Sequence, residues 1–233
     1  MLNFDGKMKA LTFSYDDGVK QDQRLIDIFN KYQLKATFNL NSGRFGVDAH
    51  LVRSGVEVEH FKVKEEEVSR LYEGHEVAAH TLTHPNLCKL STEEMILQVE
   101  EDRRNLSRLV GYDVCGMAYP GGGTNHDDRV VQVIREHTKI KYARTIECTY
   151  DFQLQKDLLR FKPTIYHMEF EKMFELGEAF LKANPDEPQI FYIWGHSYEF
   201  DIANTWDKFE EFCKMMCGRN DIFYGTNRQI FKL

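Results

Sequence analysis

The chain alternates short apolar runs with amphipathic stretches, and this alternation is the feature that most constrains its fold. The first run, at 9–15, precedes a stretch at 21–32 whose Leu25, Ile28 and Phe29 share one helical stripe. Strands that alternate with helices favour βαβ units in a parallel sheet. About seven such units predict a single α/β domain, residues 1–233, folded as a closed or nearly closed (β/α) barrel.

The same pattern sets the boundaries of the elements. The helix that begins near Ser91 has a clear start signal, because Glu94 follows three residues later as in a capping box, and Gly111 is predicted to end it. The stretch 41–61 contains three glycines and shows no clear period, which makes it a candidate binding loop. The predicted strands are 9–15, 35–40, 76–79, 114–119, 140–145, 189–194 and 222–224, the predicted helices are 21–32, 64–72, 91–110, 127–137, 169–183 and 205–216, and 159–165 is predicted to be extended.

Two adjacent carboxylates, Asp16 and Asp17, end the first predicted strand and are followed by Gly18. Neighbouring residues of a strand point to opposite faces, so the two acids can take different roles in one site. The same three residues are also ordinary turn chemistry. What lies at the other strand ends decides between a turn and a site.

A histidine pair, His80 and His84, follows the predicted strand 76–79. Four residues make one helical turn, and a single turn would place both imidazoles on one side, able to bind one ion. With Asp17 as a third ligand, the set would leave coordination positions open for water and substrate. The alternative is a pair of histidines that cap a strand end, and the acids at another strand end favour the metal site.

Three further groups lie at the C-terminal ends of predicted strands, where (β/α) barrels carry their chemistry. Gly121 lies in a glycine-rich loop that could offer a backbone N–H to a developing oxyanion. His196 could be a general acid, with Asp16 as the general base. Arg144 could supply a cation. Each also has a plainer interpretation: a flexible turn, a structural histidine and a surface arginine.

The motifs resemble those of the metal-dependent polysaccharide deacetylases, carbohydrate esterase family four. Thr12-Phe13-Ser14-Tyr15-Asp16-Asp17-Gly18 resembles the family's first motif, T-F-D-D-G, with two extra residues before the acids. His80-Thr81-Leu82-Thr83-His84 resembles the second, H-[ST]-x-x-H, and Trp194-Gly195-His196 resembles the last, L-x-H. The motifs come in the family's order over nearly the whole chain. The resemblance implies a distorted (β/α) barrel with about seven parallel strands.

The resemblance also implies a role for each matched residue. Asp16 would be the base that activates metal-bound water, and His196 would protonate the leaving amine. The backbone around Gly121 would help to stabilise the oxyanion. A divalent ion, usually zinc, would be held by Asp17, His80 and His84.

The chain departs from the family at two motifs. The third motif usually has an arginine that orients the catalytic aspartate, then a proline and an aromatic residue, but Ala118 stands at the arginine's place and Gly121 at the aromatic's. The fourth motif, an Asp-rich turn ending in Trp, is not recognisable. We therefore expect Arg144, on the neighbouring predicted strand, to lie within hydrogen-bond reach of Asp16 and replace the missing arginine.

Charge and composition exclude several functions. A net charge of -7 and a pI near 5.7 give no basic footprint for nucleic acid. No apolar run is long enough to span a bilayer, and no signal peptide is visible. The five cysteines are odd in number and scattered, which is typical of reduced thiols. These features predict a cytoplasmic location and leave the oligomeric state open.

The leading functional hypothesis is a zinc-dependent hydrolase that removes an N-acetyl group from an amino-sugar-containing oligo- or polysaccharide. A first alternative is a hydrolase of another non-peptide C–N amide on the same fold. A second is a carbohydrate-binding relic without turnover. The complete set of acids and histidines argues against the relic, and the missing arginine of the third motif argues for it.

Overall fold

A computed structural model describes residues 4–53 and 55–233, and within these ranges strands and helices alternate as the sequence predicts. The strands are β1 (Lys9–Asp16), β2 (Ala36–Leu40), β3 (His50–Arg53), β4 (Val56–Glu59), β5 (Glu76–Ala79), β6 (Gly116–Ala118), β7 (Tyr142–Arg144), β8 (Ile165–Tyr166), β9 (Gln189–Gly195) and β10 (Ile222–Tyr224). The helices are α1 (Asp22–Lys31), α2 (Val68–Leu71), α3 (Thr92–Val110), α4 (Asp128–His137), α5 (Phe170–Lys182), α6 (Glu199–Ala203), α7 (Trp206–Met216) and α8 (Asn227–Phe231).

The strands build a curled half-barrel in the order β7-β6-β5-β2-β1-β9-β8, and β10 pairs with the first half of β1. All of these pairings are parallel. Between β7 and β9 runs an irregular segment in which Phe161 N donates to Ala143 O and Thr164 N donates to Tyr192 O. The predicted α/β fold, a distorted (β/α) barrel with about seven parallel strands, is therefore confirmed.

Alternation along β1 separates its apolar from its polar side chains. Phe13 faces α1, where its ring centroid lies 4.7 Å from that of Phe29. Ser14 and Asp16 face the opposite side of the sheet, where the side chain of Asn39 on β2 donates a hydrogen bond of 2.8 Å to each. All eight residues of β1 are buried, as expected for a central strand of a parallel sheet. Alternation therefore places Asp16 on a polar face, at the C-terminal end of the strand.

Helix α3 shows how local sequence fixes an element. Ser91 Oγ accepts a hydrogen bond from Glu94 N, and the carboxylate of Glu94 accepts one from Ser91 N, which confirms the predicted capping box. At the other end Gly111 adopts φ +75°, a left-handed conformation that glycine adopts without steric cost. Both predicted ends of this helix are confirmed.

The stretch 41–61 differs from the prediction, because it contains an antiparallel hairpin of β3 and β4. Leu51 and Val58 of the hairpin pack with Val19 and Tyr198, so apolar burial holds the hairpin beside the sheet. Each of its strands has four residues, which is too short for the alternation to stand out.

Smaller corrections concern short elements. The helices α6 and α8, of five residues each, were not predicted. The predicted helix 64–72 is a 3-10 turn, Glu65–Glu67, followed by the single turn of α2. The predicted extended segment 159–165 overlaps another 3-10 turn, Leu158–Arg160.

The helices and the cysteines of the structure bear on membrane insertion and on disulfide bonds. None of the helices formed by residues 4–53 and 55–233 combines the length and apolarity that crossing a membrane requires. Each of the five cysteines has a free thiol.

Candidate active site

The groups at the strand ends meet in one cavity of about 250 Å³ at the C-terminal edge of the sheet. Arg144 lies beside the cavity and is fully buried. The other six site residues predicted from the sequence line the cavity: Asp16, Asp17, His80, His84, Gly121 and His196.

One carboxylate and two imidazoles form a candidate metal site. A ligand atom from each of Asp17, His80 and His84 lies within 4.8 Å of the other two. Nδ1 of His80 is 2.9 Å from the carbonyl oxygen of Ala118, and because a carbonyl only accepts, Nδ1 must carry the proton. The Nε2 lone pair is then free, which is the usual arrangement of a histidine ligand and its supporting hydrogen bond. The donor set therefore fits a divalent ion such as zinc.

The histidines converge for a different reason from the predicted one. Residues 80–84 form no helical turn; Thr81 and His84 adopt φ +66° and +65° in an irregular loop. The side chain of Asn41 donates to the carbonyl oxygens of His80 and Thr81, at 2.6 and 3.0 Å. A loop with left-handed residues, held from the neighbouring strand end, thus brings the two rings together.

A second support of this loop is Asp102, a buried residue in the middle of α3. Its carboxylate accepts hydrogen bonds from the backbone N–H groups of Ser42 and His80, at 2.7 and 2.9 Å. Burial raises the pKa of Asp102 to about 7, although these hydrogen bonds lower it. Sequence analysis missed Asp102, because nothing in the pattern of α3 distinguishes it from a surface acid.

Asp16 is surrounded by donors and cations. Its Oδ1 accepts from Asn39, and its Oδ2 accepts from a terminal nitrogen of Arg144. The Nε2 atoms of His80 and His196 lie 3.9 and 4.0 Å from the same Oδ2. Burial acts to raise the pKa of Asp16, but Arg144 and the two histidines outweigh it, so the pKa is lowered. Asp16 is therefore a buried carboxylate that stays ionised.

Arg144 reaches Asp16 because of the sheet register. β6 and β7 pair so that Ala118 lies beside Arg144. Arg144 therefore lies on the next strand at the same level of the sheet as Ala118, the position at which the resemblance would place an arginine. The guanidinium stacks on Trp194 at 4.5 Å and donates to Thr145 O at 3.1 Å. The predicted contact with Asp16 is confirmed, and its effect on turnover stays a prediction.

His196 is held by Glu199, three residues further on. The Glu199 Oε2 atom lies 3.0 Å from His196 Nδ1 and accepts from the backbone N–H of His196 at 3.1 Å. The opposite ring nitrogen, Nε2, faces Asp16. Burial lowers the pKa of His196, but Glu199 and the two aspartates Asp16 and Asp17 outweigh burial and raise it. The geometry therefore favours a protonated imidazole beside an ionised carboxylate.

The carboxylate of Glu199 accepts hydrogen bonds from several residues besides His196. Its Oε1 accepts from Tyr166 and from Arg53, at 2.5 and 2.8 Å, and its Oε2 accepts from His167 at 2.9 Å. Burial opposes the charge, but His196 and the other donors hold the pKa of Glu199 far below its usual range. Sequence analysis missed Glu199, although an acid three residues after His196 was a usable signal.

The close packing of His167 against β9 explains why a glycine, Gly195, precedes His196. A Cβ on Gly195 would lie 2.2 Å from the ring of His167. Only glycine therefore allows β9 to pass His167 and lead into His196.

Asp17 is held from the opposite side by two residues that the sequence analysis did not single out. Lys62 Nζ lies 3.2 Å from Oδ1, and His60 Nε2 lies 3.3 Å from Oδ2. Asp17 adopts φ +84°, which is uncommon for a residue with a side chain. Burial acts to raise the pKa of Asp17, but Lys62 and His60 hold it well below the usual value. Burial lowers the pKa of Lys62, and Asp17 partly offsets this.

Gly121 lies at the rim of the cavity with φ +83°. The side chain of Asn125 donates to the carbonyl oxygens of Gly121 and Tyr119, at 2.9 and 3.3 Å, and so shapes the glycine loop. The role of this loop in holding an oxyanion stays a prediction.

Fold and site together define an α/β half-barrel with two acids and a histidine pair at its strand ends. The chain belongs to the polysaccharide deacetylase family, whose model matches residues 3–140, more than half of its length. The resemblance seen in the motifs is therefore confirmed.

One relative is the peptidoglycan-N-acetylmuramic acid deacetylase PdaC of Bacillus subtilis (strain 168). It is 27% identical to this chain over 127 residues, which are 54% of this chain and 24% of that protein. The chain spans a third or less of the length of the relatives that it matches.

Two solved structures of carbohydrate esterase family four (CE4) show the same fold. The Xyl-CE4 domain of a multidomain xylanase from the hindgut metagenome of Trinervitermes trinervoides has a TM-score of 0.60 and 17% identity, over 97% of this chain and 90% of that one. A mutant of a CE4 family pseudoenzyme with restored enzymatic activity has a TM-score of 0.58 and 18% identity, over 97% of this chain and 68% of that one.

Proposed function

We propose that the protein is a metal-dependent hydrolase that removes an N-acetyl group from an amino sugar within an oligo- or polysaccharide, releasing acetate. The observation that carries this proposal is that two adjacent carboxylates have different neighbours. Asp17 lies with His80 and His84, whereas Asp16 lies with Arg144 and faces His196. A metal site and an acid–base pair therefore share one cavity.

The metal site would be formed by Asp17, His80 and His84. A divalent ion bound there, for which zinc is our proposal, would polarise the amide carbonyl and lower the pKa of water. The neutral state of His80 supports this assignment, since burial lowers the pKa of its ring to about 4.

The chain's own residues would move the protons. Asp16, kept ionised by Arg144, would take a proton from the attacking water. His196, kept protonated by Glu199, would give a proton to the amide nitrogen as its bond to the acyl carbon breaks. The backbone of Gly121 would stabilise the negative charge on the carbonyl oxygen. Water is added across the amide, and the products are acetate and a free amine.

The lining of the cavity supports a sugar as the substrate. The rings of Tyr119, Tyr166, Trp194 and Tyr198 line it, and such side chains offer an apolar face beside a polar group. The relative PdaC is a peptidoglycan-N-acetylmuramic acid deacetylase, and N-acetylmuramic acid is an N-acetylated amino sugar. We propose the same chemical class here.

The alternatives are a hydrolase of another C–N amide and a carbohydrate-binding relic. Acetate release from a panel of chitooligosaccharides and simple N-acetyl amides, measured together with zinc content, separates the three. Our proposal predicts stoichiometric metal and acetate release from the oligosaccharides. Release only from simple amides would favour the first alternative, and metal or sugar binding without release would favour the relic.

The ligand assignment has its own test. Elemental analysis of His80→Ala and His84→Ala proteins should show loss of the ion, with His137→Ala as the control because that histidine is exposed on α4. Full occupancy in both variants would contradict the metal site.

A further inference from the structure

A buried lysine touches the proposed metal ligand Asp17, and neither the family's motifs nor the proposed reaction accounts for it. The Lys62 side chain is 2% exposed. Its Nζ donates to the main-chain oxygen of Asp17 at 2.5 Å, to Oδ1 of Asp17 at 3.2 Å and to the side-chain oxygen of Asn41 at 3.5 Å. Taking a lysine out of water is costly unless it is paired, so this contact is a specific feature of the site.

The backbone delivers Lys62 to this place. Lys62 forms an antiparallel bridge with Val19, and Val63 N donates to Gly18 O at 3.0 Å. The segment 60–63 therefore lies along the loop that carries Asp17. Its hydrogen bond to Gly18 holds the loop directly after Asp17, which has the left-handed conformation.

The ammonium group and an ion would share one oxygen. Oδ1 of Asp17, which accepts from Lys62, is also the oxygen 3.8 Å from Nε2 of His84. The other oxygen, Oδ2, faces His60. An ion held between Asp17 and the histidines would therefore lie close to a positive charge on the protein.

Each carboxylate that lines the cavity already has a cationic partner on the protein. Among the described residues, the carboxylates that line it are Asp16, Asp17 and Glu199, and each has its own cation. Asp16 is paired with Arg144, Asp17 with Lys62 and Glu199 with Arg53. A divalent ion would add positive charge to a site whose carboxylates are already paired, and Lys62 would repel it.

We propose that Lys62 is a built-in counter-ion of the metal site, which holds Asp17 in place without an ion and weakens the binding of the ion. This inference rests on the proposed role of Asp17 as a ligand. Two effects of Lys62 oppose each other: its hydrogen bonds position Asp17, and its charge repels a dication. The repulsion between the ammonium group and a divalent ion that share one oxygen is larger than the net contribution of a hydrogen bond. The net effect of Lys62 on zinc affinity is therefore a decrease.

The test is zinc affinity, measured by competition with a chromogenic chelator, in wild type and three variants. Lys62→Gln keeps a donor without the charge, and Lys62→Met removes both. Lys64→Met, which removes an exposed lysine two residues further on, is the control. We expect both Lys62 variants to bind zinc at least about tenfold more tightly and the control to match wild type. The metal-free Lys62 variants should also melt at a lower temperature than wild type.

Unchanged or weaker zinc binding by Lys62→Gln would overturn the proposal, because the charge would then not limit affinity. If the variants fold only with zinc, the rate at which they lose it to excess chelator replaces the affinity. Slower loss than wild type supports the proposal, and equal or faster loss overturns it. His80→Ala separates this outcome from failure of the proposed function: if that variant binds zinc like wild type, the ligand assignment itself is wrong.

Discussion

The two sides of the cavity are built in different ways. On the acid–base side, Asp16 and Arg144 end regular strands, and His196 directly follows one. On the metal side, Asp17 and His84 lie in loops and adopt φ +84° and +65°. Regular strand ends therefore position the residues proposed to move protons, and left-handed loop residues position the proposed ligands.

This difference shows where the site depends on its surroundings. A left-handed conformation of a residue other than glycine costs on the order of 1–3 kcal/mol and persists only when neighbouring groups enforce it. Around the metal side those groups are Asn41, Lys62 and Asp102, which hydrogen-bond to the two loops. Around the acid–base side the strand ladder itself is the support, and the polar contacts mainly set charge.

Removing Arg144 should give the largest effect on the acid–base side short of removing the base. In Arg144→Met the pKa of Asp16 rises, because its ion pair and a hydrogen bond are lost, and kcat/KM should fall by roughly 10- to 100-fold. Zinc content should stay at the wild-type level. Arg135→Met, at an exposed arginine of α4, is the control. Unchanged kcat/KM in Arg144→Met would remove Arg144 from the proposed mechanism.

Replacing Glu199 should shift the alkaline limb of the pH dependence of kcat/KM. Glu199 raises the pKa of His196, so the protonated acid of the wild type persists above the ordinary histidine range and is lost as pH rises further. In Glu199→Gln that loss should occur at a lower pH than in wild type, seen as a shift of the alkaline limb of kcat/KM towards acid. Glu187→Gln, at an exposed position, should leave the limb in place. A limb that does not move would mean that His196 does not set it.

Replacing Asp102 should give the smallest effect, visible in stability. Its pKa is raised from 3.8 to about 7, so its stabilising contribution is complete below pH 3.8 and is lost as pH rises to about 7. The free energy of unfolding of wild type, measured with urea, should therefore include a decrease of up to about 3 kcal/mol from this group between pH 5 and pH 8. The loss between these two pH values should be smaller in Asp102→Asn. An equal pH dependence in both proteins would contradict the raised pKa.

The sequence alone predicts the residues that lie at the ends of regular strands. Strand runs end visibly at Asp16 and before His196, and a parallel sheet brings such ends together. The contact of Arg144 with Asp16 is also predicted, from the order of the strands.

The supporting groups could not be predicted in the same way. Lys62 meets Asp17 across 45 positions, and Asp102 meets His80 across 22, through loops whose paths no periodicity encodes. The hairpin of β3 and β4, which brings Arg53 to Glu199, is too short to show alternation. The histidine pair illustrates the limit: its convergence is predicted, but by a helical turn that does not form.

Of two adjacent carboxylates, Asp16 is proposed to be the general base and Asp17 a metal ligand. One paired measurement tests this assignment most directly. Zinc content and acetate release should be measured on Asp16→Asn and Asp17→Asn prepared in parallel. Asp16→Asn should keep the ion and lose at least about 100-fold in turnover, because the base is gone and the ligands remain. Asp17→Asn should lose the ion. Loss of zinc from Asp16→Asn together with full zinc in Asp17→Asn would contradict the account.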